Sequence, residues 1–133
     1  MTTGYRHFPI RFDRWYAVMS AAVLLPPSSA YVEVSPYEIE VRMSWAFRAT
    51  FKKSAISAAR GVDGKRTMSR GVHGFAGRWL VNGSASGLVS LTLSPRQRGF
   101  VMGFPVRLRE VIVSLEDPDG FIEAIEELEE ASR

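Results

Sequence analysis

His73 stands in the segment of this sequence that gathers most groups able to do chemistry, Gly71-Val72-His73-Gly74-Phe75-Ala76-Gly77-Arg78-Trp79. An imidazole exchanges protons near neutral pH, a guanidinium grips an anion through parallel hydrogen bonds, and glycine lets a ligand approach the backbone. As chemistry, the segment is the rim of an enzyme cleft with His73 and Arg78 as its polar groups. As structure, Gly74 and Gly77 relieve strand curvature, Trp79 enters the core and His73 closes a loop. The structural reading is expected, because glycine within a strand more often marks a bulge.

Nothing elsewhere completes a catalytic site. The sequence holds no Gly-x-Ser-x-Gly elbow, His-Glu-x-x-His helix, phosphate loop ending in Gly-Lys-Ser/Thr or dinucleotide fingerprint. His7 is far from His73, and neither has a second ligand at metal spacing. Cysteine is absent, which excludes disulfides, thiolate metal sites and thiol nucleophiles and fits a reducing cytoplasm. The expectation is a chain with no catalytic residue, no metal and no cofactor. Glu116, Asp117 and Asp119 lie where carboxylates cap a helix. Asn82-Gly83-Ser84 matches a glycosylation acceptor, but without a secretory route it is a turn.

Charge is the other chemical resource. Net charge is only +3, yet nine basic residues and one acid lie between Arg42 and Arg78, and nine acids and one base lie from Glu110 to the end. Such a basic block could hold an anionic lipid head group or phosphate, with Arg48, Lys52, Lys53, Lys65, Arg66, His73 and Arg78 as candidate ligand-binding residues. Neutralisation of one block by the other, or simple solvation, is the expected alternative. A nucleic-acid platform is not expected, because Trp45, Phe47, Phe51, Phe75 and Trp79 alternate with the charges and so lie on the opposite face of their strands.

These residues need elements to position them, and period-two alternation supplies strands. In 37–43, Ile39, Val41 and Met43 oppose Glu38, Glu40 and Arg42. In 46–52, Phe47, Ala49 and Phe51 oppose Arg48, Thr50 and Lys52. Strands are also predicted over 8–12, 31–34, 75–81, 88–93, 99–104 and 107–115, with a hairpin-like loop over 82–87. The 55–60 stretch is ambiguous between strand and helical turn, and 61–71 reads as an exposed basic loop. Asp117-Pro118-Asp119-Gly120 opens a helix over about 118–131, with Phe121, Ile122, Ala124, Ile125 and Leu128 on one face and Glu123, Glu126, Glu127, Glu129 and Glu130 on the other.

At 133 residues and 46% hydrophobic composition the chain forms one domain with one core, mainly β with one C-terminal α-helix. The apolar run Trp15 to Leu25 has 11 residues, against the roughly 20 that a membrane-spanning helix needs. Arg6, Arg11 and Arg14 before it and Ser28-Ser29-Ala30 after it imitate a secretory signal, but the strand-like Phe8-Pro9-Ile10-Arg11-Phe12 favours a buried core segment.

The order Phe8-Pro9-Ile10-Arg11-Phe12, Val41-Arg42-Met43-Ser44-Trp45, Gly87-Leu88-Val89, Val111-Ile112-Val113-Ser114-Leu115 and Glu116-Asp117-Pro118-Asp119-Gly120-Phe121 resembles small, largely uncharacterised actinobacterial proteins of pleckstrin-homology-like (PH-like) architecture. The resemblance implies a two-sheet antiparallel barrel or sandwich of about seven strands, its sheets roughly orthogonal, plugged by the C-terminal helix. Some members bind phosphoinositides through basic residues of the first strands and their loop, to which Arg48, Lys52, Lys53, Lys65 and Arg66 are loosely comparable. Three functions follow as expectations: foremost a non-catalytic binding or scaffolding module contacting protein, or itself, through a sheet edge; then an anionic-ligand or lipid head-group surface over Arg42 to Arg78; and last an enzyme with a cleft at Gly71 to Trp79.

Overall fold

The structure, a computed structural model, describes residues 6–14, 30–62, 71–75, 77–82, 84 and 86–131, with backbone alone at 71–73, 75 and 127–131. Lys65, Arg66 and the Trp15 to Leu25 run lie outside the described residues.

Alternation builds the first half. Strands β1 (Arg6–Pro9), β2 (Ala30–Val34), β3 (Glu38–Met43) and β4 (Phe47–Lys52) form an antiparallel meander. Its inward residues, including Phe8, Val32, Ile39, Val41, Phe47 and Phe51, are buried. A 3-10 turn over Lys53–Ala55 leads into β5 (Ile56–Val62), so the ambiguous stretch is strand after a single turn. The second half contains β6 (Gly71–Phe75), β7 (Arg78–Asn82), β8 (Leu88–Val101) and β9 (Phe104–Ser114).

All nine strands share one sheet, in the order β1-β2-β3-β4-β8-β9-β7-β6, with β5 also paired to β8. The 14-residue β8 allows this, because its first half pairs with β5 and its second with β4. The sheet is curled into an open half-barrel. Helix α1 (Pro118–Ala131) fills its concave side through Phe121, Ala124 and Ile125, with the Phe121 ring edge-on to Phe8 at 5.4 Å. Asp117 Oδ1 accepts the Gly120 N–H at 3.0 Å, the cap that fixes where the helix starts.

Several sequence expectations are corrected. One sheet replaces two, and β7 runs parallel to β9 within it. The predicted strand over 75–81 is divided by a turn at Gly77, whose φ of +83° suits glycine, giving the β6–β7 hairpin. The loop over 82–87 does not close a hairpin, since β9 lies between β7 and β8. Strands expected over 88–93 and 99–104 are one strand. Pro95 lacks a backbone donor, and the register shift between Thr92 and Gln97 accommodates it. The tight turn falls instead at Met102-Gly103.

A strap at the seam holds the curl. Ile10 bridges Leu115, Arg11 N–H donates to Ser114 O at 2.8 Å, and Arg11 Nε donates to Leu115 O at 3.2 Å. The N-terminal segment is thereby tied to the end of β9. Among the described residues, no helix is long and apolar enough to cross a membrane.

Candidate anion-binding face

Each basic residue acquires its direction from strand parity. On β4 the buried Phe47, Ala49 and Phe51 point inward, so Arg48, Thr50 and Lys52 stand on the outer, convex face. On β3 the same rule puts Glu38, Glu40 and Arg42 outside. Arg42 and Arg48 are direct cross-strand partners.

Beyond β4, Phe100 of β8 faces Arg48, and the Arg48 guanidinium carbon lies 5.5 Å from the Phe100 ring centroid. Arg98 follows two residues along the same face and is paired directly with Arg107 of β9. Arg48, Arg98 and Arg107 are exposed and Arg42 is half-buried. The outer face thus presents Arg42 and Arg48, then Phe100, then Arg98 and Arg107. Among the described residues none of these four arginines forms an ion pair.

The predicted site residues divide. Arg48 belongs to this face. Lys52 shares its strand but is paired across from Glu38, with which it lines a groove of about 410 Å³ together with Thr50, Ser54, Pro95 and Gln97. A carboxylate in that lining opposes an anionic ligand. Lys53 is half-buried in the 3-10 turn. Of His73 only the backbone, paired with Leu80, is described.

Arg78 is committed elsewhere. Its Nε donates to Glu110 Oε1 at 2.6 Å, and the Ser90 hydroxyl donates to the other carboxylate oxygen. Burial pushes the Glu110 pKa up, but the hydrogen bonds from Ser90 and Arg78 and the charges of Arg78 and Arg60 outweigh it, leaving the carboxyl below its ordinary 4.5. The backbone at Glu110 is tied to the start of β7, since the N–H groups of Arg109 and Glu110 both donate to Gly77 O, at 2.8 and 3.2 Å.

The acidic and basic blocks meet at that pair. Among the described residues, Asp119, Glu123 and Glu126 of α1 form no ion pair. Phe47 and Phe51 are core as predicted, and Trp79 is half-buried against it, 6.5 Å from Phe47 between ring centroids. Gly74 makes room for the indole, since a Cβ there would lie 2.3 Å from its ring. Trp45 departs from the expected core position and is exposed. Asn82 is fully buried at the end of β7, its amide donating to Ser84 O at 2.9 Å.

Arg98 and Arg107 were outside the basic block that the sequence draws attention to. Their signal was present as alternation, Arg96, Arg98 and Phe100 on one strand and Arg107 and Arg109 on the next, but only the β4–β8 pairing brings it beside Arg48. Comparison with known proteins finds no matching family model, no matching curated protein and no matching solved structure.

Proposed function

We propose that this domain is a non-catalytic binding module that recognises an anionic partner surface through Arg42, Arg48, Arg98 and Arg107. The observation that carries the reading is the two directly opposed arginine pairs, Arg42 with Arg48 and Arg98 with Arg107. Like charges directly opposite weaken a sheet, and an incoming anion removes that repulsion. Local rules broken without internal compensation belong to functional places. Intramolecular neutralisation has less support, since among the described residues the blocks meet only around Glu110, beside Arg78 and Arg60.

A half-barrel with a C-terminal helix packed in its concavity supports a PH-like architecture, with the basic face on the strands rather than on the Lys65 and Arg66 loop. A cysteine-free chain suits the cytoplasm. A second reading, a protein partner or second copy added at a sheet edge, is favoured by β6, which ends the sheet path with β7 as its sole partner among the described strands.

Affinity of the full chain for heparin, a soluble polyanion, tests the leading reading. At ~1 kcal/mol per arginine near an anionic surface, the Arg42→Gln, Arg48→Gln, Arg98→Gln, Arg107→Gln combination loses at least tenfold in affinity. Equal affinity overturns it. Light scattering across concentration tests self-association, against which a strict monomer counts.

A further inference from the structure

We infer that the anionic partner is a membrane surface, into whose interface the tips of the β3–β4 and β8–β9 hairpins insert while the arginine pairs hold the lipid phosphates; this rests on the anion-binding reading above. The tips carry exposed apolar side chains. Trp45 is 52% exposed, Met102 59% and Phe104 74%. They form one promontory, because Met102 N–H donates to Ala46 O at 3.0 Å and ties the two turns together.

Met102 is the most telling of the three. It has a φ of +49° and is followed by Gly103 at +84°, a pair of positive values that characterises a two-residue hairpin turn in which asparagine is the favoured first residue. Methionine there is conformationally costly. An exposed, flexible apolar side chain thus stands where a polar one would stabilise the turn.

Spacing joins the promontory to the charges. Arg42 lies three residues before Trp45, Arg48 three after it, and Phe100 two before Met102. At ~3.3 Å per strand residue the first arginine pair sits within about 10 Å of the tips. Interfacial elements bury their apolar part about 5–10 Å into the head-group boundary, so arginines at that distance meet phosphates when the tips are in. Tryptophan suits such a boundary, and the Arg48 guanidinium lies over the Phe100 ring on the same exposed face. A soluble polyanion would use the arginines and leave the tips in water.

Sedimentation of the full chain with phosphatidylcholine vesicles, with and without about 30% phosphatidylserine, tests this beside the heparin measurement. Binding is expected with the anionic vesicles, weakening as salt rises and falling about fivefold for each arginine removed. Trp45→Ser, Met102→Ser, Phe104→Ser together should lower vesicle affinity at least about tenfold and leave heparin affinity unchanged. Met102→Asn keeps the fold in evidence, since it should raise thermal stability while weakening vesicle binding. Heparin binding without vesicle binding overturns the membrane inference and leaves the anion-binding reading intact; loss of both overturns both. Vesicle affinity insensitive to the tip substitutions, tighter binding to single-stranded DNA than to vesicles, or dimerisation abolished by the tip substitutions each overturns it.

Discussion

Arg48 and Phe100 are 52 residues apart in sequence and directly opposed across β4 and β8, with the guanidinium carbon 5.5 Å from the ring centroid. The contact orients a cation on an exposed face where it has no acid partner among the described residues. An exposed cation–aromatic contact contributes ~0.5–1 kcal/mol. A double-mutant cycle of Arg48→Ala and Phe100→Ala in urea unfolding should give that coupling energy; strictly additive losses would mean that the ring does not hold the arginine.

Glu110 makes stability pH-dependent. Its folded pKa is lowered below the ordinary 4.5, so the charged form is favoured in the native state. The stability it contributes is full above the unfolded value and is lost as pH falls through the lowered folded value. Wild type should therefore exceed Glu110→Gln in stability at neutral pH, with the gap closing on acidification below the ordinary glutamate range. Urea midpoints across that range check it, and a gap that widens in acid would contradict it.

Gly87 has a φ of +67°, and a Cβ there would stand 2.2 Å from Leu115 O, against which the seam is built. Gly87→Ala should lower stability by ~1–3 kcal/mol through strain and displacement. Amide exchange at Arg11 and Leu115 should accelerate most, because the Arg11 N–H donates across the seam to Ser114 O and the Leu115 N–H donates to Gly87 O itself. Uniform acceleration over the sheet would argue that no separate strap exists.

Phe121 is fully buried against Phe8, and Asp117 caps the helix that carries it. Phe121→Ala should cost ~3–5 kcal/mol and Asp117→Ala ~1 kcal/mol. Thermal unfolding ranks them, and a reversed order would mean that the helix is not part of the core.

What the sequence made legible depended on how local the cause was. Asp117-Pro118 and the spacing of Phe121, Ala124 and Ile125 place the helix because cap and stripe are read within one segment. Strands β3 and β4 are equally plain from alternation. The β6–β7 turn was hidden because Phe75, Gly77 and Trp79 keep alternating through it, and only the positive φ at Gly77 separates the strands. The binding face was half legible: Arg42 and Arg48 fall within the basic block, whereas Arg98 and Arg107 join them through pairings that span the chain. Arg78 looked available for a ligand because its partner, Glu110, lies 32 residues away on a parallel strand.

The most direct test of the arginine face is heparin affinity of wild type and of the Arg42→Gln, Arg48→Gln, Arg98→Gln, Arg107→Gln variant, titrated at rising salt. Wild-type affinity should fall steeply with salt, as exposed charges are screened over ~8 Å at physiological ionic strength, and the variant should bind at least tenfold more weakly with a shallower dependence. Identical affinities and identical salt dependences would contradict a binding face made by these four residues.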